Sequence, residues 1–328
     1  MTRAWTLQEL LSPKSIRFYD RDWRLYRGDT RPNHKESPHI MRELGEAVSV
    51  AQDTLVDFSP KSLSVRAKLR LASTREATEK VDIAYALIGI FSSDLIPEYR
   101  DPEDALGLLL QEIVHQERDA KAVLDWVGKS SQFNSCLPAQ ISAYQDSPHT
   151  PPPIPENEME VRVAELRALL PQRDVAMFFE NLSALGSIHF NHRRLSLPCI
   201  TFSSSVNTAR YGEASSASSQ SIVYEAQTAA LGQLQFKTSC TAFMAQDEVV
   251  LVYPWIHDLL AQTNKPEWDI YTQALRLVVH LEQPFTALLL VKQSVDTYKR
   301  VAVDSKILIP QRKVMSLKDI GTKVLEIR

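Results

Sequence analysis

DSPHTPPPIPEN, residues 146–157, organises the chain. Its prolines, Pro148, Pro151, Pro152, Pro153 and Pro155, mark an extended linker, and the apolar pattern changes character beyond it. Upstream, apolar residues recur at helical spacing. Ile40, Leu44, Ala47, Val48, Ala51 and Leu55 form one series, and Leu63 to Ala72 and Lys80 to Phe91 form two more. Asp101-Pro102-Glu103 supplies a capping residue, a first-turn proline and an acid ahead of the apolar face Ala105, Leu106, Leu109, Leu110 and Ile113. Downstream, Glu158 to Leu185 is helical with an interruption at Pro171. Strands then follow in prospect: Leu195 to Phe202, Ile222 to Glu225, Gln233 to Phe236, Val249 to Tyr253, Leu275 to Leu281, Ala287 to Val291 and Tyr298 to Val303. The Ser-rich run from Ser203 to Ser221 reads as a mobile loop.

The front of the chain differs again. Thr6 to Leu11 predicts a short helix stopped by Pro13, and Ser15 to Tyr19 predicts a strand. Gly28, Asp29, Pro32, Asn33 and Pro38 make residues 20–38 a loop. The expected class is α+β, in four parts: residues 1–37, a helical region 38–145, a Pro-rich linker 146–157, and a helix plus a mostly antiparallel β domain over 158–328.

The chain has 328 residues, enough for two ordinary domains, and is 44% hydrophobic and 23% charged. A net charge of -3 gives no reason to expect nucleic acid or an anionic membrane as partner. No apolar run reaches the ~18–20 residues needed to span a bilayer. The N-terminus lacks the pattern of a secretory signal, so a cytoplasmic location is expected. Cys136, Cys199 and Cys240 lie far apart without a CxxC or a nearby His, which predicts free thiols in a reducing compartment and no zinc. With nine glycines and neither GxGxxG nor GxxxxGK[ST], the usual phosphate cradles are missing.

Two stretches carry a resemblance. RAWTLQELLSP, residues 3–13, leads into IRFY, residues 16–19. Further on come Ala72, Arg75, Thr78, Asp82, Ala84, Tyr85, Leu87, Gly89, Ile90 and Phe91, then Tyr99, Ala105, Leu106, Leu110, Gln111, Glu112 and Ile113. Asp125-Trp126-Val127-Gly128 and Cys136-Leu137-Pro138-Ala139 follow. Together they resemble fungal heterokaryon-incompatibility (HET) proteins of basidiomycete type. The first stretch is similar to the family's RxWTLQELLAP segment and VxFY-type strand, the second to the helical region behind the HET domain. The likeness runs over residues 1–140. Departures are Leu71 for a family Trp, Glu79 for an Arg, Val81 for an acid, and Tyr99-Arg100-Asp101-Pro102 for a YGEG turn. The family's YxALSYxWG-like and WIDxLCIxQ-like motifs have no counterpart, so the resemblance implies a chain that begins at the third HET motif.

HET domains resemble TIR domains, a flavodoxin-like sheet with helices, so residues 1–37 are expected to be the C-terminal remnant of such a fold. NAD-cleaving TIR domains place a catalytic Glu in a WCxxEL helix, and Trp5-Thr6-Leu7-Gln8-Glu9-Leu10 is similar. The resemblance therefore implies Glu9 as the catalytic position and Arg3, Trp5, Gln8, Asp82 and Tyr85 as motif residues. A fixed carboxylate stabilises the oxocarbenium character that builds on ribose as the nicotinamide bond breaks. One carboxylate is not a site, and the segments that would hold the phosphates and adenine lie upstream of Trp5 in the family. The expected function is thus protein–protein contact in fungal self/non-self recognition or regulated cell death, without catalysis or cofactor. A protein partner or self-association is expected, because the strand at Ile16–Tyr19 would lack its sheet. The alternative is a TIR-like NAD hydrolase, with NAD as substrate only and a half-site supplied by a partner or an upstream segment.

Plainer readings stand beside these. Trp5 reads as core packing and Glu9 as an exposed helix residue or a cap. His189 and His192, beside Arg193 and Arg194, read as a solvated basic loop rather than a metal site. Asp82 and Glu112 read as salt-bridge partners of Arg75 or Arg118. Phe91, Leu95, Ile96 and Tyr99 form an apolar cluster that reads as inter-helix packing or as a surface for another chain.

Overall fold

Leu7, Leu10 and Leu11, together with Ala4, fall on one stripe of a 3.6-residue period, and all four are buried. Burying that stripe makes Ala4–Leu11 a helix, α1, which ends where Ser12 donates its N–H to the Gln8 carbonyl at 2.9 Å. The structure, a computed structural model, describes residues 3–48, 50–98, 101–116, 120–211, 222–238, 248–257, 259–260, 268–295 and 297–328. Tyr99, Arg100, Arg118 and Cys240 lie outside the described residues, as do 212–221 of the Ser-rich run. The chain divides into two compact units, one of residues 1–123 and 139–147, the other of 124–138 and 148–328.

The first unit is helical. α2 (Pro38–Val48) buries Ile40, Met41, Leu44 and Val48, and α3 (Gln52–Val56) buries Leu55. α4 (Val65–Ala72) is capped by Ser64, whose hydroxyl accepts from the Ala67 N–H at 3.2 Å. The segment read as one helix over Lys80–Phe91 is two single turns, α5 (Asp82–Tyr85) and α6 (Ile88–Phe91). α7 (Pro102–Gln116) starts where Asp101 Oδ1 accepts the Glu103 N–H at 2.9 Å, and the face read from the sequence is the one it buries. α8 (Ala120–Leu124) follows.

The strand expected at Ile16–Tyr19 does not form. Only Tyr19 makes an isolated bridge, to Leu25. Side chains take the place of a neighbouring strand. The Ile16 N–H donates to Asn33 Oδ1 at 3.1 Å, the Phe18 N–H donates to His34 Nδ1 at 3.0 Å, and the Ile16 carbonyl accepts the His34 N–H at 2.8 Å. With the Ile16 and Phe18 amides taken this way, that edge of the segment has no donors left for a ladder. Among the described residues of this unit there is no β-sheet to represent a flavodoxin-like remnant.

The second unit carries all nine described strands: β1 (His189–Asn191), β2 (Arg194–Tyr211), β3 (Ile222–Thr228), β4 (Gly232–Thr238), β5 (Val249–Pro254), β6 (Phe285–Lys292), β7 (Thr297–Arg300), β8 (Ile307–Ile309) and β9 (Ile320–Ile327). β2, β5, β6, β7 and β9 pair in a ring that closes when β9 returns to β2, giving a five-stranded barrel. All pairings are antiparallel except β7 with β9, where Thr297 faces Glu326 and Tyr298 faces Ile327. Alternation sorts the side chains. Leu195, Leu197, Cys199, Val252, Leu290 and Ile327 share one buried face. Ile200, Phe202, Leu251, Leu289 and Val291 share the other, in one core with the helices α9 (Glu156–Leu169), α10 (Gln172–Ala184) and α11 (Ile270–Leu281). α9 and α10 divide at Pro171, the expected break.

Three sequence readings need correction here. Leu275–Leu281, expected as a strand, lies in α11, whose N-terminus Asp269 caps by accepting the Thr272 N–H at 2.7 Å. Ala274, Leu275, Leu277, Val278 and Val279 are all buried, so the segment is apolar on most sides and carries no period to tell helix from strand. The first half of the Ser-rich run, residues 203–211, is strand, part of β2. The basic loop at His189–Arg194 is a hairpin: Asn191 faces Arg194, and His192 takes the left-handed turn position at φ 53°.

The chain crosses between units at 123/124 and 138/139 as well as at the linker. Residues 124–138 belong to the barrel unit because their backbone is held there. The Ser135 N–H donates to the Arg328 carbonyl at 2.8 Å, and Asn134 Nδ2 donates to the Ile327 carbonyl at 2.9 Å and to that of Arg193 at 2.8 Å. Among the described residues, no helix is long and apolar enough to cross a membrane.

Candidate functional site

The motif residues of α1 all lie off its buried stripe of Ala4, Leu7, Leu10 and Leu11. Trp5 and Glu9 lie one turn apart on the outer face, where Glu9 is exposed and Trp5 retains 36% of its accessible surface. Trp5 is therefore not the core residue its type suggests. Arg3 pairs with Glu76 as an isolated parallel bridge, and the Ala4 N–H donates to the Glu76 carbonyl at 2.8 Å, which fixes the start of the helix. Gln8 turns toward α6: a Cβ added at Gly89 would lie 2.8 Å from Gln8 Nε2. Gln8 Oε1 is buried without a hydrogen-bond partner.

Asp82 opens α5, where an acid favours the helix N-terminus and its own carbonyl accepts the Ala86 N–H at 2.9 Å. The Tyr85 ring is buried; its hydroxyl accepts the Glu98 N–H at 2.9 Å and donates to the Glu98 carbonyl. Glu112 accepts from the Ser93 hydroxyl and from the Asp94 N–H at 2.7 Å, while Arg118, one of its expected partners, lies outside the described residues. Phe91 is buried, while Ile96, from the same expected cluster, is 76% exposed. The structure thus brings Gln8 against Gly89, ties the exposed Arg3 to Glu76 through the backbone, and leaves Glu9 and Trp5 on the surface. Glu9 lines none of the cavities built from Tyr85, Asp94 and Glu112, from Arg27 and Arg42, from Arg75 and Glu103, or within the barrel unit.

Several polar groups missed by sequence reading are structural. His34 is fully buried, with Nδ1 accepting from Phe18 and Nε2 donating to the Asp29 carbonyl at 3.0 Å, which fixes the neutral tautomer. The Lys35 Nζ donates to the Leu11 carbonyl at 3.0 Å, at the exit of α1, and burial pushes its ammonium below the ordinary lysine range. Arg66 Nη1 donates to the Tyr144 carbonyl at 2.7 Å. Among the described residues no group of His, Cys, Asp and Glu could hold a metal ion.

The barrel unit contains a cavity of 220 Å³ between the outer barrel face, the tip of the β3–β4 hairpin and the segment before β9. Its floor is apolar, with Phe202 stacked on Phe285 at 5.8 Å and Tyr253 edge-on to Phe285 at 4.7 Å. Arg312, Lys313, Glu282 and Asp319 stand at its wall and rim. Sequence reading had no signal for it, because its lining comes from positions as far apart as Phe178 and Ile320.

Comparison with known proteins gives one likeness of note. No family model matches the chain, and no solved structure matches it. The Vegetative incompatibility protein HET-E-1 of Podospora anserina is 30% identical over 113 residues. The match covers 34% of this chain and 8% of that protein's length. Over about a third of its length, then, the chain is similar to a small part of a fungal vegetative incompatibility protein.

Proposed function

We propose that the chain acts in fungal self/non-self recognition or regulated cell death by contacting another protein, without catalysis of its own. The observation that carries this reading is the 30% identity with HET-E-1, named for vegetative incompatibility. Support from the fold is the position of α1. Its inner face of Ala4, Leu7, Leu10 and Leu11 is committed to the core, while Trp5 and Glu9, one turn apart, are free to meet a partner. A partly exposed tryptophan is among the side chains that interface anchors favour.

The test is to express the chain in one of two otherwise compatible fungal strains and to score viability of the fused cells. Death or growth arrest on fusion, lost in a Trp5→Ala, Glu9→Lys variant that folds normally, is the expected result. Fused cells that grow equally well with parent and variant would overturn the contact reading. The TIR-like alternative is read in parallel by nicotinamide release from NAD with the parent and Glu9→Ala. No release is expected, since a lone exposed carboxylate has neither a substrate-holding cavity nor the low-dielectric surroundings that strengthen its field.

A further inference from the structure

We propose that the 220 Å³ cavity of the barrel unit is a binding site for a small aromatic or aliphatic monocarboxylate, held at its acid end by Arg312. The assignment goes beyond the contact reading of α1 and rests on different residues.

Arg312 lines the cavity, and its Nε is buried with no hydrogen-bond partner. Among the described residues its guanidinium takes part in no ion pair. Of the neighbouring charges, Glu282 and Lys313 are already used. Glu282 is buried, takes a two-pronged contact from Arg162 at 2.5 and 2.7 Å, and also accepts the Val314 N–H at 2.6 Å. Lys313 pairs with Glu165 at 3.3 Å. Arg312 is therefore the cation left over at the wall of a cavity with an apolar floor. A guanidinium offers a planar fork that matches a carboxylate, and it hydrogen-bonds best where water is excluded.

The backbone around Arg312 is fixed. Its N–H donates to the Glu282 carbonyl at 3.0 Å, and the Val314 N–H is held two residues on. On the facing hairpin Gly232 sits at φ +70°, and a Cβ there would come 3.2 Å from Arg312 Nη1. The hairpin tip thus carries no side chain where the guanidinium lies, and Ala229 and Ala230 beside it are small. Asp319 at the rim disfavours a second negative charge, which selects a monoanion over a phosphate dianion. Phe202, Phe285 and Tyr253 offer ring faces and edges for a flat apolar body. The volume equals that of about seven waters at ~30 Å³ each, which limits the ligand to a single ring or a short chain.

The experiment is calorimetric titration of the full chain with phenylacetate, benzoate and hexanoate, and with neutral phenylacetamide. Saturable binding of at least one acid is expected, weakened about tenfold or more both by Arg312→Gln and by replacing the acid with the amide. Ala230→Phe, which places a ring in the cavity and keeps the arginine, is expected to abolish binding while circular dichroism stays that of the parent. No saturable binding of any acid up to millimolar concentration would overturn the proposal. So would equal affinity for acid and amide, or binding unchanged in Arg312→Gln or Ala230→Phe.

Discussion

The amide end of Gln8 occupies the space that a side chain on Gly89 would need: a Cβ there would stand 2.8 Å from Gln8 Nε2 and 2.9 Å from its Cδ. The two stretches that carry the family resemblance, one around Trp5 and one around Ile90, thus meet at a position where the second can hold only glycine without displacing the first. Gly89→Ala is expected to destabilise the first unit by ~1–3 kcal/mol through overpacking. Gln8→Ala, which vacates the contested space, should restore most of that loss in the double variant. Urea unfolding of the four proteins gives the coupling directly, and additive effects would show that Gln8 simply swings aside.

The legibility of the fold follows from how local each signal is. Asp101 and the face from Ala105 to Ile113 could be read because a cap and a 3.6-residue period sit within one helix. Leu275–Leu281 could not, because its neighbours on several sides are apolar and its period vanishes. The barrel closes through a parallel pairing of Tyr298 with Ile327 and an antiparallel one of Leu195 with Ile327. No composition or spacing near Leu195 announces a partner that far along the chain. The candidate sites divide the same way. Glu9 and Trp5 were visible as a motif, whereas the cavity at Arg312 exists only after distant segments meet.

Arg300 illustrates a polar residue that the fold buries. Its Cζ lies 3.8 Å from the centroid of the Trp126 ring, Nη1 donates to the Leu124 carbonyl at 2.8 Å, and Nη2 donates to the Trp126 carbonyl at 3.0 Å. The side chain ties residues 124–138 to β7. Arg300→Met keeps the volume but leaves those carbonyls without donors, and is expected to cost ~2–4 kcal/mol. Arg300→Lys should fall between, since one ammonium cannot reproduce the fork. The urea midpoint of each variant reads the difference, and a midpoint equal to the parent's for Arg300→Met would show that the segment is held without it.

Cys136 and Cys199 are both buried free thiols, and burial pushes each up to about 12. For Cys199 the neighbouring Cys136 adds to that rise. Both thiols should resist a disulfide reagent at pH 8 in the folded chain and react at once on unfolding. A Cys240→Ser background removes the third thiol from the count. The sign for stability follows. The unfolded thiols ionise near pH 9.0, while the folded ones hold their protons to about 12, so the folded state binds more protons in between. Stability is expected to fall as pH rises above 9, less steeply in Cys136→Ala, Cys199→Ala. Rapid labelling of the native chain at pH 8 would place at least one thiol within solvent reach.

His280 should set the acid side of stability near neutrality. It lies half-buried in the last turn of α11, where burial, and then the Arg276 guanidinium one turn away, hold its pKa below the ordinary value of 6.5. Arg276 stays in place through paired contacts to Glu156 at 2.7 Å each and by lying 3.8 Å over the Trp268 ring. Below pH 6.5 the unfolded histidine takes up a proton that the folded one refuses, so the unfolded state binds more protons. The histidine's contribution is therefore present in full above 6.5 and is lost as pH falls toward the folded value, after which the loss levels off. Melting temperatures of the parent are expected to drop between pH 7.5 and 5.5, a range above most carboxylate titrations, and His280→Gln should flatten that slope. The imidazole signal of His280 in NMR should titrate below 6.5. A titration at or above that value, or a variant with the parent's slope, would show that the last turn of α11 leaves this ring open to water.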